Sequence, residues 1–438
     1  MQAGRMLIGK TLAISLSLGV FAIGSIVVFS KFSDLPGYDL FKMPEVVSWF
    51  LFSTLAFSAG LALPMRKDFG SMIIWVVYYM HIFPWTVLGA FYIGLGSNCD
   101  IATKLLYVII INALYILLSY TVSRSRLSIR TFKITIQTLL FLYGLITIAL
   151  VLVLIIKLGH FINIPTYSEI YQQRAAFKRA IGSMSGGSIL SRIILIVTYT
   201  ILPFSLATSS YLIQLGKHNT TVVVITIISL GASLLVFSLA AFKSTVALAL
   251  LSFLIPIVLH KTRKLAISST AMLVWLLAFV GIVSLIVHLL NPDSRWLLHY
   301  FRRIFIVPGM QIWFYTDMFP LYPPQLIRDA PLIVSQVVYG TAGSANSGLV
   351  GSGLALGGGI GVLLNMVIFG TWLAVSKAYV KGVPNAILMP IAMIYGYLFS
   401  NSATTTVLFS YGAVLAPFIL AFLSSSLRRL DHRLASYQ

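Results

Sequence analysis

The residues best suited to chemistry form a basic stretch in the last third of the chain. Four of them fall at the spacing of one helical face, with an aromatic residue beside them: Arg295, His299, Arg302, Arg303 and Tyr300. Guanidinium groups bind phosphate through paired hydrogen bonds and keep their charge at any physiological pH. A histidine can accept a proton near neutrality. The pattern therefore favours binding of a phosphate-bearing substrate next to a general base.

This stretch supplies both catalytic and binding candidates. The catalytic candidates are His299, Asp293, Arg302 and Arg303, and the binding candidates are Arg295 and Tyr300. Asp293 would act either as a base or as the partner that orients His299. A second interpretation is an amphipathic helix at the membrane interface, whose arginines reach lipid headgroups and whose aromatic rings form a belt.

Prolines and aromatic residues follow at high density, among them Pro308, Trp313 and Tyr315. Aromatic faces stack on sugar rings, so this segment is expected to form a structured lid or groove over a glycan. An interfacial loop with an aromatic belt is the alternative.

A second basic stretch lies near the middle of the chain. Arg174 and Lys178 are four residues apart on an expected short helix, next to Arg179 and about one turn after Glu169. These four residues are candidates for contacting a lipid-linked diphosphate. A solvated helix near anionic headgroups explains them equally well.

Two single residues complete the candidate site. Lys243 interrupts two apolar runs, and a lysine at membrane depth is a functional candidate, whereas one at the tip of a helical hairpin is merely solvated. Asn346 is a candidate for binding a sugar hydroxyl. The glycines of residues 348–361 lack the preceding strand of a nucleotide loop and are expected to allow close helix packing.

The elements that position these residues are membrane helices. The chain is 59% hydrophobic and 9% charged, with a mean hydropathy of +0.97, which excludes a soluble globular protein. A membrane span needs about 20 apolar residues. About twelve spans are expected, at residues 9–30, 46–64, 72–95, 104–122, 134–157, 190–214, 221–239, 243–260, 266–290, 352–375, 385–400 and 404–424.

The basic residues orient these spans. The formal net charge of +20 would suggest nucleic acid in a soluble protein, but with both termini inside, most of it falls in short inside connections. Two connections on the other side are enlarged, at residues 158–190 and 291–351. The inside connections leave no room for a nucleotide-using domain, and the chain has no phosphate-binding P-loop motif. We therefore expect no nucleic-acid partner, and chemistry only outside or within the membrane.

The whole chain resembles the bacterial O-antigen and capsular polysaccharide repeat-unit polymerases. The resemblance rests on the many spans, the two enlarged loops, the arginine-rich stretch before Pro308-Gly309, and Ala345-Asn346-Ser347-Gly348 ahead of a glycine-rich helix. It lacks an arginine–glycine spacing that some members carry. The family implies one all-α integral membrane domain over residues 1–438, GT-C-like, in the bacterial inner membrane. Both termini would be cytoplasmic and the active site periplasmic.

The resemblance also implies a reaction. The growing glycan is transferred from undecaprenyl diphosphate to a fresh lipid-linked repeat unit, with Arg302, Arg303 and Arg174 stabilising the leaving diphosphate and no metal or cofactor required. The expected partners are undecaprenyl-diphosphate-linked oligosaccharide, membrane lipids and a copolymerase that regulates chain length. Two alternatives stay open: an O-antigen ligase that uses lipid A–core as acceptor, and a flippase or transporter of the lipid-linked sugar.

Overall fold

The computed structural model describes most of the chain: residues 2–66, 68–94, 100–125, 127, 134–159, 162, 170–184, 187–217, 219–240, 243–261, 282, 298, 301–319, 329–340, 345 and 347–435. Within these residues the chain is helical and forms no strand beyond one isolated bridge between Phe41 and Tyr92. The all-α prediction is confirmed for this part of the chain. In this part of the chain, seven helices are long and apolar enough to cross a membrane, which indicates a membrane protein.

Most helices follow the expected apolar runs. The helices are α1 Gln2–Phe32, α2 Val46–Ala62, α3 Phe69–Leu88, α4 Ile101–Arg124, α5 Ile136–Leu158, α6 Ile170–Gly182, α7 Gly187–Gln214, α8 Thr220–Ala240, α9 Lys243–Lys261, α10 Val307–Met318, α11 Ala330–Tyr339, α12 Gly348–Tyr379, α13 Asn385–Asn401 and α14 Ala416–Ala435. The run expected at residues 404–424 differs: it is divided into a π-helical turn Thr406–Ser410 and a 3-10 turn Ala413–Leu415, and its α-helix begins only at Ala416. The expected ninth span, at residues 266–290, lies almost entirely outside the described residues. Twelve spans and their orientation remain predictions.

Contacts divide the chain into two compact units. Unit 1 comprises Met1–Ser125, Ile267–Ala374 and Gly396–Thr404, and unit 2 comprises Arg126–Ala266, Val375–Tyr395 and Thr405–Gln438.

One end of unit 1 is closed by basic side chains that satisfy helix carbonyls. Lys10 is buried, and its Nζ donates to the carbonyls of Leu61 and Leu63, both at 2.6 Å, where α2 ends. The Arg66 guanidinium donates to the Ser123 carbonyl at 2.6 Å, where α4 ends. The last carbonyls of a helix lack partners within it, so these cations satisfy them and join the ends of neighbouring helices.

The opposite end of unit 1 is closed by two connecting segments that hydrogen-bond to each other. The Lys42 amide donates to the Phe91 carbonyl at 2.8 Å, and the Ile93 amide donates to the Leu40 carbonyl at 2.9 Å. These bonds tie the connection after α1 to the one after α3. Tyr38 lies in the first of these connections and therefore belongs to this end of the unit.

Helix α10 differs from the lid expected for its segment. A π-helical turn, Arg302–Ile306, leads directly into α10, and a Cβ added at Gly309 would lie 2.7 Å from the Trp85 amide nitrogen. The Trp313 indole donates to the Trp85 carbonyl at 2.7 Å. Phe301, just before the π-helical turn, packs against Gly24 of α1, and Phe314 of α10 packs against Gly37 in the connection after α1.

The expectation that Trp313 and Tyr315 stack on a sugar is therefore wrong. Trp313 is 0% exposed and Tyr315 is 1% exposed, because the absence of a side chain at Gly309 lets α10 press against the backbone of α3. Their aromatic rings form the core of unit 1 and are closed to a ligand in this structure.

Helix α12 is broken by a pair of glycines. Gly357 and Gly358 have non-helical backbone angles, and Gly358 has φ +58°. A Cβ added at Gly361 would lie 2.1 Å from the Gly353 carbonyl oxygen, although these residues would be two turns apart in a straight helix. The Asn365 side chain donates to the Leu349 carbonyl at 3.1 Å. Residues 348–356 therefore fold back as a short arm on the rest of α12, and we call this arrangement the glycine hairpin. The sequence predicted close packing of a membrane helix at these glycines. Gly353 and Gly361 do approach closely, but across a break in the helix that was not predicted.

Unit 2 is held together by hydroxyl groups between its helices. Ser205 and Ser229 share a hydrogen bond of 2.9 Å, which joins α7 to α8. The Ser210 hydroxyl donates to the Phe253 carbonyl at 2.6 Å and joins α7 to α9. Such bonds suit a membrane interior, where polar groups have no water and must find partners within the protein.

Candidate functional site

The structure describes only some of the candidate site residues that the sequence predicted. Six of them lie outside the described residues: Asp293, Arg295, His299, Tyr300, Glu169 and Asn346. The helical face of Arg295 and His299 with the two later arginines is therefore untested. Lys243 is the first residue of α9, and α8 ends at Ala240. The turn expected between them lies outside the described residues, so the hairpin remains a prediction. The side chain of Lys243 is not described.

Arg302 is the most enclosed of the described candidates. Only 7% of the residue is exposed, and its guanidinium carbon lies 4.5 Å from the ring centre of Phe32 and 5.4 Å from that of Tyr38. It also donates a hydrogen bond to the Tyr38 hydroxyl. A cation over aromatic faces is attracted by their negative charge density, and burial strengthens that attraction. The side chain is thus fixed in position at the end of unit 1 that the connections after α1 and α3 close.

Two tyrosines and a glutamine accompany this arginine. Arg303 is exposed, and its charge acts on the hydroxyl groups of both Tyr38 and Tyr339. Tyr339 is the last residue of α11, and it accepts a hydrogen bond from the Gln311 side chain of α10. We call Arg302, Arg303, Tyr38, Tyr339 and Gln311 the arginine–tyrosine cluster.

Burial keeps the two phenols of this cluster neutral. Burial raises the pKa of Tyr38, and the Arg302 and Arg303 charges oppose that rise only in part. Burial raises the pKa of Tyr339 as well, with a further contribution from Tyr38. Both hydroxyl groups therefore keep their protons at physiological pH. The cluster offers two cations together with neutral hydroxyl and amide groups, which is the chemistry that recognises phosphate oxygens.

The general base is not part of the described cluster. Asp317 lies 14 residues after Arg303 in one helical run, about 20 Å along its axis at 1.5 Å per residue. The Tyr92 hydroxyl donates to its carboxylate at 2.8 Å, and Lys104 donates to the Tyr92 carbonyl. This network fixes Asp317 where α10 ends. The base candidates His299 and Asp293 remain predictions.

The basic residues of the first stretch lie on α6 in unit 2. Lys178 and Arg179 are exposed and Arg174 is half-buried, whereas Phe177 and Ile181 are each 4% exposed. The helix is amphipathic, as its spacing predicts, with an apolar side turned inward. The Gln173 side chain donates to the Ser238 carbonyl and anchors α6 on α8. That Arg174 and Lys178 act together with Arg302 remains a prediction.

Sequence reasoning missed three members of the arginine–tyrosine cluster: Tyr38, Tyr339 and Gln311. Each stands in a segment with no local signal for function, and long-range packing alone brings it to Arg302. Among the described residues, no group of three His, Cys, Asp or Glu side chains could hold a metal ion.

No protein-family model, no curated protein and no solved structure matches the chain.

Proposed function

We propose that this protein polymerises lipid-linked oligosaccharide repeat units at the outer face of the bacterial inner membrane, as an O-antigen polymerase. The growing glycan moves as a block from its undecaprenyl diphosphate carrier onto a new lipid-linked unit. The observation that carries the proposal is the buried guanidinium of Arg302, held by Phe32 and Tyr38 and accompanied by the exposed cation of Arg303.

The proposed reaction requires fixed cations of the kind that this cluster provides. An acceptor hydroxyl oxygen attacks the anomeric carbon of the donor glycan and forms the new glycosidic bond. The bond from that carbon to the phosphate oxygen breaks, the acceptor proton passes to a base, and undecaprenyl diphosphate leaves. Negative charge grows on the diphosphate as the bond breaks, so fixed cations at this group lower the barrier. In this proposal Arg302 and Arg303 supply them, and His299 or Asp293 is the base.

Burial of Arg302 matters to this role. A charge in a site of low dielectric acts more strongly on a nearby anion than the same charge in water. Because aromatic rings and a hydroxyl group already hold the guanidinium, little reorganisation is needed when the diphosphate binds. The basic helix α6 of unit 2, with Arg174, Lys178 and Arg179, would bind anionic lipid headgroups.

A second candidate function is transport of the same lipid-linked sugar. The observation in its favour is the break in α12 at Gly357 and Gly358, because broken membrane helices frequently form the substrate sites of transporters. An O-antigen ligase would use the same arginine–tyrosine cluster with lipid A–core as its acceptor.

Deletion of the gene in its host separates these functions. Loss of the polymerase leaves lipopolysaccharide cores that carry a single repeat unit. Loss of a ligase leaves bare cores and accumulated lipid-linked polymer, and loss of a flippase leaves repeat units on the inner side of the membrane. We expect the first pattern, restored by the wild-type gene. Long chains that survive the deletion would remove the polymerase proposal.

A further inference from the structure

A single buried histidine holds the short arm of the glycine hairpin. His81 lies in the π-helical turn Tyr78–Ile82 of α3 and is 0% exposed. Its Nε2 accepts a hydrogen bond from the Val350 amide at 3.2 Å. Val350 belongs to the first turn of the short arm, where amide groups have no partner within the helix. The imidazole therefore supplies the partner that the helix lacks.

The short arm begins in close contact with this ring. Gly348 has φ +59°, and a Cβ added there would lie 2.6 Å from Cε1 of His81 and 2.4 Å from the Ser400 carbonyl oxygen. A side chain at this position would displace the arm from its seat. Gly348 is thus the residue that lets α3, the short arm and the last turn of α13 meet at one point.

The bond to Val350 requires the neutral form of His81. Because Nε2 is the acceptor, the one proton of the neutral ring is on Nδ1. A second proton would turn Nε2 into a donor facing another donor. It would also place a positive charge at the amino end of a helix, which is itself positive. Within the described residues the ring contacts the Val350 amide, the Ser400 carbonyl and the backbone of Gly348, none of which is charged, and Nδ1 is buried without a hydrogen-bond partner of good geometry.

We propose that His81 is a proton-sensitive latch for the glycine hairpin: neutral His81 holds residues 348–356 in place, and protonated His81 releases them. The release would reach α10, the helix that carries Gln311 of the arginine–tyrosine cluster, through a contact next to the short arm. The Tyr315 hydroxyl of α10 donates to the Ala345 carbonyl at 2.8 Å, just before the short arm. The turn that carries Arg302 leads into the same helix, α10. The latch does not depend on which reaction the protein catalyses.

The direction of the pH effect follows from linkage. A released histidine protonates near its ordinary pKa of about 6.5, whereas the held ring must stay neutral. The arm is therefore fully held above that pH. Below it, the ratio of held to released arms falls by up to about tenfold for each pH unit.

Hydrogen exchange of the backbone amides of residues 349–356 tests the latch. The protein is reconstituted in lipid nanodiscs and compared from pH 8 to pH 5, with intrinsic exchange rates divided out. Helix α4 of unit 1 serves as the internal reference. We expect protection of the short arm to fall below about pH 6.5 while α4 stays constant.

His81→Gln provides the matched control, because the glutamine oxygen can accept the Val350 bond and does not titrate. Its short arm should stay protected throughout the pH range. If protection of the short arm in the wild type is as independent of pH as that of α4, the latch is overturned, even if the variant fails to fold. A fall of equal size in His81→Gln would overturn it as well, since another group would then carry the pH dependence.

Discussion

Removal of one hydroxyl group from the arginine–tyrosine cluster should weaken diphosphate binding strongly. In Tyr38→Phe the aromatic ring stays beneath the guanidinium of Arg302, and only the hydrogen bond to the Tyr38 hydroxyl is lost. Tyr38 is 4% exposed and Arg302 is 7% exposed, so water does not replace this bond readily. This bond is one of the contacts that fix the plane of the guanidinium, and paired hydrogen bonds to phosphate require a fixed plane.

The size of the loss follows from the type of bond. A hydrogen bond to a charged group contributes about 1.5–3 kcal/mol, and each 1.4 kcal/mol changes an affinity about tenfold. We therefore expect Tyr38→Phe to weaken binding of undecaprenyl diphosphate by about 10- to 150-fold. Tyr38→Leu removes the ring as well and should weaken binding further, by up to the 2 kcal/mol or so of a desolvated cation–π contact.

The measurement is binding of undecaprenyl diphosphate to the purified protein in nanodiscs, followed by thermophoresis. Tyr120→Phe is the matched control, because Tyr120 also lies beside an arginine, with the Arg124 guanidinium 5.9 Å from its ring. That variant should bind as the wild type does. If Tyr38→Phe also binds within twofold of the wild type while Arg302→Ala does not bind, the positioning role of Tyr38 is refuted.

Two further outcomes follow from packing and from the buried phenols. Gly309→Ala should lower the stability of the solubilised protein by about 1–3 kcal/mol, because its Cβ would lie 2.7 Å from the Trp85 amide nitrogen. The control Gly231→Ala, at a position that no atom approaches within 4 Å, should be neutral or stabilising in the same thermal melt. Equal melting temperatures of the two variants would argue against the burial of α10. Because burial raises the pKa of Tyr38 and Tyr339, the affinity for diphosphate should stay constant from pH 7 to about pH 10. The contribution of these two tyrosines to the free energy of unfolding should fall only above about pH 10, where the tyrosines of the unfolded chain ionise near their ordinary pKa. A fall in affinity between pH 8 and 9 would mean that the phenols are not held neutral.

The helical class and most helix positions could be predicted from the sequence, because apolar runs of membrane length are a strong local signal. The amphipathic character of α6 and the close approach of the glycines could also be predicted from the sequence. The helical structure of residues 301–318 could not be predicted from the sequence. Arg302 and Arg303 interrupt the apolar run, and Pro308 reads as a break, although proline fits the first turn of a helix, where its missing amide proton costs no hydrogen bond.

The missed residues share one cause. Val350 is 269 residues from His81, and Tyr339 is over 30 residues from Arg303. Neither pair produces a periodic pattern of residue types that sequence analysis could detect. A lone histidine in an apolar run reads as an ordinary core residue, and its role appears only when the first turn of the hairpin is seen against it. The arginines could be picked out by type, but not the aromatic rings and hydroxyl groups that fix them.

The central claim is that the cation of Arg302 acts on the diphosphate of a lipid-linked glycan. The direct measurement is chain extension by the purified protein in vesicles that contain undecaprenyl-diphosphate-linked repeat units. Arg302→Ala should lower the extension rate by about 100- to 1,000-fold, as for loss of one fixed group that stabilises the transition state. Arg302→Lys should restore it only in part, because the paired geometry is lost. Arg124→Ala, at the far end of α4, should extend at the wild-type rate. Full extension by Arg302→Ala would contradict the account.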